Sequence, residues 1–306
     1  MRAFVLVVTS IFFAPLPLRS QALVTESEGR VMRILSWNVY MLPEIAGHRN
    51  LKRAEWIGRY LDTANYDVIV FQEAFSKKAR KIMSRHLLPA FPFQMSPASR
   101  GGLTMRLNNG VWILSKHPIL QSGSITYRHR KGIDAFAQKG ASLVTLQIGH
   151  SRIQIIGTHL QNSGNAGTKV EQYLELERLL RFYQVDNVPQ IICGDFNIHA
   201  GNEGLYSHLL STLQATNGIL NSPGKFSYDG RNNDLCTGSA RELIDHILVR
   251  TGNWKMVTNE RSILRPHQQW HQRHKDLSDH YPVEAVFRFR APKSLETAGL
   301  IQAPEQ

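Results

Sequence analysis

The sequence predicts an α/β domain in which two β-sheets pack face to face with helices on their outer sides. Two observations support this fold class. Short apolar runs bounded by turn residues recur along most of the chain, which is the pattern of β-strands. Only a few segments between them have the three- and four-residue apolar spacing of helices. Many strands with few helices are best buried as two packed sheets flanked by helices.

The first 22 residues have the layout of a secretory signal peptide. A short basic start precedes an apolar run from Ala3 to Leu18, and Ser20-Gln21-Ala22 places small residues at a cleavage site. The alternative, a membrane anchor, is disfavoured because a run this short with two prolines spans the apolar core of about 30 Å poorly. We therefore expect a signal peptide at 1–22, one catalytic domain at 23–306, and a secreted protein.

The predicted elements then follow in order. Thr168 to Tyr183 is the clearest helix, because apolar side chains recur on one face while the charges lie elsewhere. Phe91 to Gly110 is rich in Pro, Ser, Gly and Asn and is predicted to be a long loop. The polar tail after Arg290 is expected to fray. The remaining helices are predicted at Leu51–Leu61 and Lys77–Leu88, and the strands at Met32–Trp37, Asp67–Phe71, Val111–Ser115, Ser122–Tyr127, Ala141–Ile148, Arg152–Thr158, Ile191–Cys193, Leu243–Val249 and Pro282–Phe289.

The charge composition favours anionic partners but does not distinguish between their classes. The formal net charge is +12, which attracts polyanions and anionic membrane surfaces alike. The two cysteines, Cys193 and Cys236, are able to form one bridge in an oxidising compartment. Cys193, however, ends an apolar strand, where a small buried thiol packs well. We therefore favour a free, buried Cys193 over a disulfide.

Polar residues interrupt the strand pattern at a series of strand ends. Each of them alone has a structural explanation, such as a turn cap, a solvated strand end or a buried histidine. Their recurrence in order along the chain favours a shared site at one rim of the sheets. The residues are Asn38, Glu73, His159, Asp195, Asn197, Asp245, Asp279 and His280.

This set of side chains suits hydrolysis of a phosphodiester. The substrate is anionic, so its charge must be neutralised before water can approach. A hard cation held by oxygen ligands does this, and Asn38 and Glu73 are suitable ligands for Mg²⁺. Donors such as Asn197 and His159 can stabilise charge on the phosphoryl oxygens.

The same chemistry needs a general base for the attacking water. A histidine, with an ordinary pKa of about 6.5, is matched to that role near neutral pH. A carboxylate must fix its tautomer, and either Asp245 or Asp279 can supply it.

The ordered motifs resemble those of the endonuclease/exonuclease/phosphatase superfamily. The resemblance runs from about Ile34 to Phe287, and within the superfamily it is closest to the bacterial neutral sphingomyelinases. The motifs are Trp37-Asn38-Val39-Tyr40-Met41-Leu42-Pro43, Phe71-Gln72-Glu73, Asn109-Gly110-Val111-Trp112-Ile113-Leu114-Ser115-Lys116-His117-Pro118-Ile119, Gly157-Thr158-His159-Leu160, Gly194-Asp195-Phe196-Asn197 and Ser278-Asp279-His280-Tyr281-Pro282-Val283.

The resemblance implies a four-layered αββα sandwich of the DNase I-like fold. It also implies a sphingomyelin phosphodiesterase of the phospholipase C type that uses Mg²⁺ or another divalent cation such as Mn²⁺ or Co²⁺. The implied roles are metal binding for Glu73 with Asn38, a place beside the metal for Asp279, the general base for His280 oriented by Asp245, assistance to the leaving group for Asp195, and stabilisation of the phosphoryl transition state for Asn197 and His159.

One segment departs from the family pattern. Secreted sphingomyelinases of this group often carry an aromatic-rich hairpin before the Ser-Asp-His motif, whereas residues 265–275 hold one tryptophan and many cations. Trp270 is the residue expected to contact a membrane interface. The four histidines between Pro266 and His280 have no ordinary zinc spacing, so a solvated basic loop is favoured there.

We therefore expect a monomer that acts at a phospholipid membrane surface and has no stable nucleic-acid partner. A secreted DNase I-like nuclease is the main alternative, supported by the basic surface and the shared catalytic set. A binding module without activity is less favoured, since it would not need all of these positions together.

Overall fold

The computed structural model describes residues 30–42, 50–99, 108–129, 138–162 and 165–290. The expected signal peptide and the tail after Arg290 lie outside the described residues. Within the described part of the chain, no helix is both long and apolar enough to cross a bilayer.

The described elements are four helices and seventeen strands. The helices are α1 (Asn50–Asp62), α2 (Lys77–Leu87), α3 (Ala166–Phe182) and α4 (Glu203–Leu213). The strands are β1 (Arg30–Met41), β2 (Val68–Ala74), β3 (Phe93–Met95), β4 (Trp112–Ser115), β5 (Ile119–Thr126), β6 (Gly140–Ile148), β7 (Ser151–His159), β8 (Gln190–Asp195), β9 (Thr216–Asn217), β10 (Ile219–Leu220), β11 (Tyr228–Asp229), β12 (Arg241–Glu242), β13 (Asp245–Arg250), β14 (Lys255–Ile263), β15 (His267–His271), β16 (His274–Asp276) and β17 (Val283–Arg290).

Two large sheets form the centre of the molecule. One has the strand order β10-β14-β17-β1-β2-β4-β3, and the other has the order β5-β6-β7-β8-β13-β9. Each contains one parallel pair joined by a helix, β1 with β2 through α1 and β7 with β8 through α3. Because both faces of these central strands are covered, β1, β2, β7 and β8 are buried almost without interruption.

Three apolar cores separate four layers. The inner faces of the two sheets meet around side chains such as Ile34, Val70 and Ile155. Helices α1 and α2 cover the outer face of the first sheet. Helices α3 and α4 cover the outer face of the second sheet. The expected four-layered αββα sandwich is thus confirmed.

The structure adds elements that the sequence pattern did not indicate. Helix α4 and strand β14 were not predicted. Strand β14 lies near the sheet edge and has an irregular polar pattern, so it lacks the alternation that indicates a strand. The predicted loop Phe91–Gly110 contains the short strand β3, which pairs with β4. Cys193 and Cys236 are both free thiols, as favoured, and Cys193 is buried in β8.

Trp270 lies on the hairpin of β15 and β16, where its side chain is largely buried, and the expected membrane contact of this side chain stays a prediction. Its residue is only 7% exposed and belongs to the core beneath α1. The indole Nε1 donates to the Asp276 carbonyl at 2.7 Å, and the ring stacks on His274 at 5.4 Å. An indole held in this way supports the hairpin and cannot enter a bilayer without unpacking it.

Close approach of the two sheets requires a glycine at position 157 of β7. A Cβ atom there would lie 2.5 Å from Val111 Cγ1 and 2.8 Å from Val70 Cγ1, both on the facing sheet. These distances are shorter than van der Waals contact, so the sheets would have to separate locally. The absence of a side chain at Gly157 therefore helps to set the sheet spacing.

We predict that Gly157→Ala lowers the free energy of unfolding by about 1–3 kcal/mol, the range typical of an overpacked core. Urea denaturation measures this change. The matched control is Gly204→Ala, because a Cβ at this position of α4 meets nothing within 4 Å. The role assigned to Gly157 is wrong if the two variants are equally stable.

Candidate active site

The predicted polar residues converge at one edge shared by the two sheets. Parallel strands end at the same edge, and the antiparallel strands β13 and β17 begin there. The residues at these positions are Asn38 on β1, Glu73 on β2, His159 on β7, Asp195 on β8, Asp245 at the start of β13, and His280 just before β17.

Asp195 lies at the centre of the cluster. In the sheet register it is opposite His159 on one side and Asp245 on the other. Its Oδ2 accepts from Asn38 Nδ2 at 3.1 Å and lies 3.3 Å from His159 Nε2. Burial raises the pKa of this carboxyl, but His280 and His159 outweigh burial, so its pKa is lowered overall. Asp195 is therefore an anion held by the groups around it.

Glu73 reaches the same cluster from the facing sheet. Its Oε1 accepts from Asn38 Nδ2 at 3.2 Å and lies 3.9 Å from His159 Nε2. Its backbone has φ of 52°, in the left-handed region that side-chain-bearing residues seldom adopt. Tyr40 and Asn197 share this conformation, with φ of 49° each. Such strain concentrates where side chains must be aimed at a site.

His280 and Asp245 form a buried hydrogen-bonded pair across the two sheets. His280 Nδ1 lies 2.7 Å from Asp245 Oδ2, which directs the ring's Nε2 toward Asp195 at 3.8 Å. Burial would lower the pKa of His280, but the carboxylates of Asp245 and Asp195 raise it well above its ordinary value. Of the two carboxylates that the sequence left open, the structure thus pairs Asp245 with the histidine.

The Asp279 carboxyl interacts electrostatically with both Glu73 and Arg53. Its carboxyl accepts from Ser278 Oγ at 3.3 Å. Burial raises its pKa to about 7, with Glu73 adding to the rise and His280 and Arg53 opposing it. Asp279 is therefore close to Glu73, in the region where the sequence placed it.

Several hydrogen bonds hold the backbone and the side-chain amide of Asn197 in place. Its backbone N–H donates to Asp195 Oδ1 at 2.9 Å, and its Nδ2 donates to the Leu160 carbonyl at 3.0 Å. Lys169 Nζ donates to the Asn197 carbonyl at 2.5 Å. Asn197 therefore stands at the rim beside Asp195 and His159, with part of its amide already engaged. The transition-state role of Asn197 stays a prediction.

Lys139 is a site residue that the sequence reading missed. It is 5% exposed, and its Nζ lies 2.9 Å from His159 Nε2 and 3.2 Å from the Leu160 carbonyl. A lysine next to Gly140 at a strand start looks like part of a solvated turn, so the pattern gave no signal. The buried ammonium adds positive charge beside His159 and Asp195.

Ser227 and Tyr228 were also missed. Ser227 Oγ accepts the backbone N–H groups of Ile244 and Asp245, each at 3.1 Å. The ring of Tyr228 stands edge-on to His280 at 5.4 Å. Both residues support the His280–Asp245 pair from a short ribbon that has no periodicity of its own.

Buried Arg53 joins α1 to the rim of the site. Its guanidinium donates to the carbonyls of Val39 and Leu277, each at 2.9 Å, and to that of Tyr40. Burial lowers the pKa of Arg53 to about 10, so it remains charged at neutral pH. The sequence reading placed this residue on a helix and gave it no part in the site.

The donor set around Glu73 fits a hard divalent cation. Glu73 Oε2 is buried and has no hydrogen-bond partner among the described residues. Asp195 and Asp279 add carboxylates nearby, and oxygen donors of this kind suit Mg²⁺. One oxygen each of Asp195 and Asp245 and one nitrogen of His280 also lie within 4.8 Å of one another. Because His280 Nδ1 is already bonded to Asp245, the Glu73 side is the better metal site.

Asn38 faces that side through its nitrogen. Its Nδ2 donates to Glu73 and Asp195, while its Oδ1 accepts the Tyr40 N–H at 3.1 Å. In this arrangement Asn38 holds the two carboxylates together. Direct ligation of a metal by Asn38 stays a prediction.

Comparisons with known proteins agree with this geometry. The endonuclease/exonuclease/phosphatase family matches residues 35–280. Sphingomyelinase C of Leptospira interrogans is 27% identical over 289 residues, which cover 84% of this chain and 51% of the relative. The chain thus spans about half the length of that relative. Phospholipase C of Staphylococcus aureus is 24% identical over 288 residues, which cover 83% of this chain and 86% of the relative.

A solved structure supports the fold. Beta toxin from Staphylococcus aureus, in a mutant form with bound magnesium ions, superposes with a TM-score of 0.77 at 21% identity. The superposition covers 84% of this chain and 99% of that one. Together, the matches confirm the expected family, fold and phosphoric diester hydrolase class.

We predict that Asp245→Asn lowers the pKa of His280, because it removes the carboxylate that contributes most to raising it. NMR titration of the histidine ring protons measures the shift in the metal-free protein. The matched control is Asp234→Asn, whose carboxylate lies 3.3 Å from His274 instead. An unchanged His280 pKa in Asp245→Asn would contradict the assigned pairing.

Proposed function

The chain belongs to the endonuclease/exonuclease/phosphatase family, and we propose that it is a secreted, metal-dependent sphingomyelin phosphodiesterase. The reaction adds water across the phosphodiester and gives ceramide and phosphocholine. The observation that carries this proposal is the His280–Asp245 pair placed beside the Glu73 carboxylate. Named sphingomyelinase relatives that cover most of this chain support the choice of substrate.

The negative charge of the phosphodiester is neutralised at the Glu73 side of the site. Glu73 would hold the divalent cation, with Asp279 and Asn38 beside it, and the cation supplies Lewis-acid neutralisation of the phosphoryl oxygens. Magnesium is the first choice, because the ligands are oxygens and a structural neighbour contains it. Lys139 and His159 lie across from Glu73 and provide donors for the remaining phosphoryl oxygens.

Proton transfer falls to the His280 side of the site. Because the neighbouring carboxylates raise the pKa of His280 well above its ordinary value, the base is the minor neutral form of the ring. With Nδ1 bonded to Asp245, this form presents Nε2 to take a proton from the attacking water. The resulting imidazolium is stabilised by Asp245 and Asp195. Asp195 also orients Asn38, His159 and Asn197 around the departing oxygen.

We further propose export through residues 1–22 and action as a monomer at a phospholipid surface. The basic start, the apolar run and the small residues at 20–22 support export. A membrane-bound substrate calls for a protein that reaches an interface. Removal of residues 1–22 takes away Arg2 and Arg19 and no acid, so the net charge falls from +12 to +10 and still favours an anionic interface.

A nuclease is the second candidate. The charge of +12 and a metal-dependent phosphodiesterase site would serve a DNA backbone equally well. The sphingomyelinase-like motif Trp37 to Pro43 and the named relatives favour the lipid.

We predict that Glu73→Gln lowers turnover by about 10³-fold or more, because Lewis-acid stabilisation is worth several kcal/mol. Phosphocholine release from sphingomyelin in Mg²⁺ measures turnover, and a chelator should reproduce the loss reversibly. The matched control is Glu260→Gln on exposed β14, which should behave as the parent. Full activity of the chelated enzyme would contradict the metal requirement.

We predict that His280→Ala slows phosphocholine release by about 10²–10⁴-fold, the usual contribution of a general base. His150→Ala, in the exposed turn between β6 and β7, should leave the rate unchanged.

A second measurement separates the two candidate substrates. Efficient cleavage of duplex DNA without release of phosphocholine from vesicles would assign the chain to the nuclease branch.

A further inference from the structure

The outer face of α1 carries large apolar side chains. Leu51 is 43% exposed and Tyr60 is 41% exposed, and Trp56 between them is half-buried. An outward helix face is ordinarily polar, since its other face supplies the packing against the sheet. Leu51 and Tyr60 lie on opposite edges of this face, and the Tyr60 ring packs against Trp37, so the apolar side chains that share one surface are Leu51 and Trp56.

A groove of about 540 Å³ runs between this face and the hairpin of β15 and β16. Leu51 and Trp56 form one wall, and Trp270 and Gln269 form the other. Lys52 and Arg59 also line the groove. The buried Trp270 thus supports a surface whose exposed apolar groups belong to α1.

The charge around the groove is positive. Its lining holds one acid, Glu55, and two cations, Lys52 and Arg59, and Glu55 pairs with Arg59 at 2.7 Å. The guanidinium of Arg59 lies over the Trp56 ring at 5.3 Å. On the hairpin, Arg273 and Lys275 have exposed side chains.

This face is tied to the rim of the active site. Asn50, the first residue of α1, donates to the Leu42 carbonyl at 2.5 Å. Arg53, one turn along, bonds the carbonyls of Val39 and Leu277, which flank the motifs of Asn38 and Asp279. The start of α1 is therefore bonded to the segments that carry Asn38 and Asp279.

We propose that the outer face of α1, together with Arg273 and Lys275 of the hairpin, docks the protein on a phospholipid leaflet that carries anionic head groups. Leu51 and Trp56 enter the interface, while Lys52 and the hairpin cations face lipid phosphates. This inference rests on the proposed lipid substrate and names the surface that reaches it. A nucleic acid would use the cations but would leave Leu51 without a role.

The experiment measures protein that sediments with vesicles of phosphatidylcholine, with or without phosphatidylglycerol. His280→Ala is the background, so that the lipid is not consumed. In this background Lys52→Glu should weaken binding to the anionic vesicles by about tenfold or more, since one cation is removed and one repulsion is added. Leu51→Ser should weaken it by about fivefold, because an inserted leucine loses its apolar burial.

Two controls match these changes elsewhere on the surface. Lys255→Glu on β14 makes the same charge change, and Ile219→Ser on β10 removes an apolar side chain that is 75% exposed. Both should bind vesicles as the background does. Equal losses in the control and α1 variants would overturn the proposal, as would equal binding to vesicles with and without phosphatidylglycerol.

A separate measurement distinguishes docking from catalysis. Lys52→Glu and Leu51→Ser in the active protein should retain the parent rate on detergent-solubilised sphingomyelin and lose rate on vesicles. Loss on both would overturn the docking role. If the parent released no phosphocholine from either form, the proposed function would fail, while sedimentation of the His280→Ala protein would still test the surface. Binding of duplex DNA that depends on Lys52, without vesicle binding, would also overturn the proposal.

Discussion

Face-to-face packing of the two sheets is the constraint on which the rest of the structure depends. Neither sheet holds a complete site: Glu73, Asn38 and His280 come from the seven-stranded sheet, and His159, Asp195 and Asp245 come from the six-stranded one. Their side chains meet only because the inner faces interlock around a continuous apolar core. The apolar layers therefore fix the distances that the chemistry requires.

The same packing brings several carboxylates close together in a buried region that is shielded from water. Glu73, Asp195, Asp245 and Asp279 surround a small volume, and an uncompensated carboxylate there is costly. The protein offsets this with Lys139, Arg53 and the two histidines, each hydrogen-bonded to its neighbours. Among the described carboxylates of the site, Glu73 Oε2 and Asp245 Oδ1 are buried without a hydrogen-bond partner. Because Asp245 is already paired with His280 through its other oxygen, Glu73 Oε2 is the point where a cation is expected.

Much of the architecture and the site was readable from the sequence, for a physical reason. Central strands buried on both faces leave long apolar runs, so polar residues at their ends, such as Glu73 and Asp195, stand out. Lys139, Ser227 and Arg53 did not stand out, because their roles arise from contacts between segments far apart in the chain. Trp270 did stand out, but as a surface residue, because its surroundings in sequence are polar while its surroundings in space are the apolar side of α1.

The hydrogen bond between His280 and Asp245 also links two separately built layers. At 2.7 Å it tolerates only small displacements, whereas a slip of one residue along a strand moves a side chain by about 3.3 Å. Catalysis therefore requires a more exact alignment of the layers than folding does. Divergent members of such a family are free to exchange most core side chains, provided that each exchange preserves the spacing between the sheets at this edge.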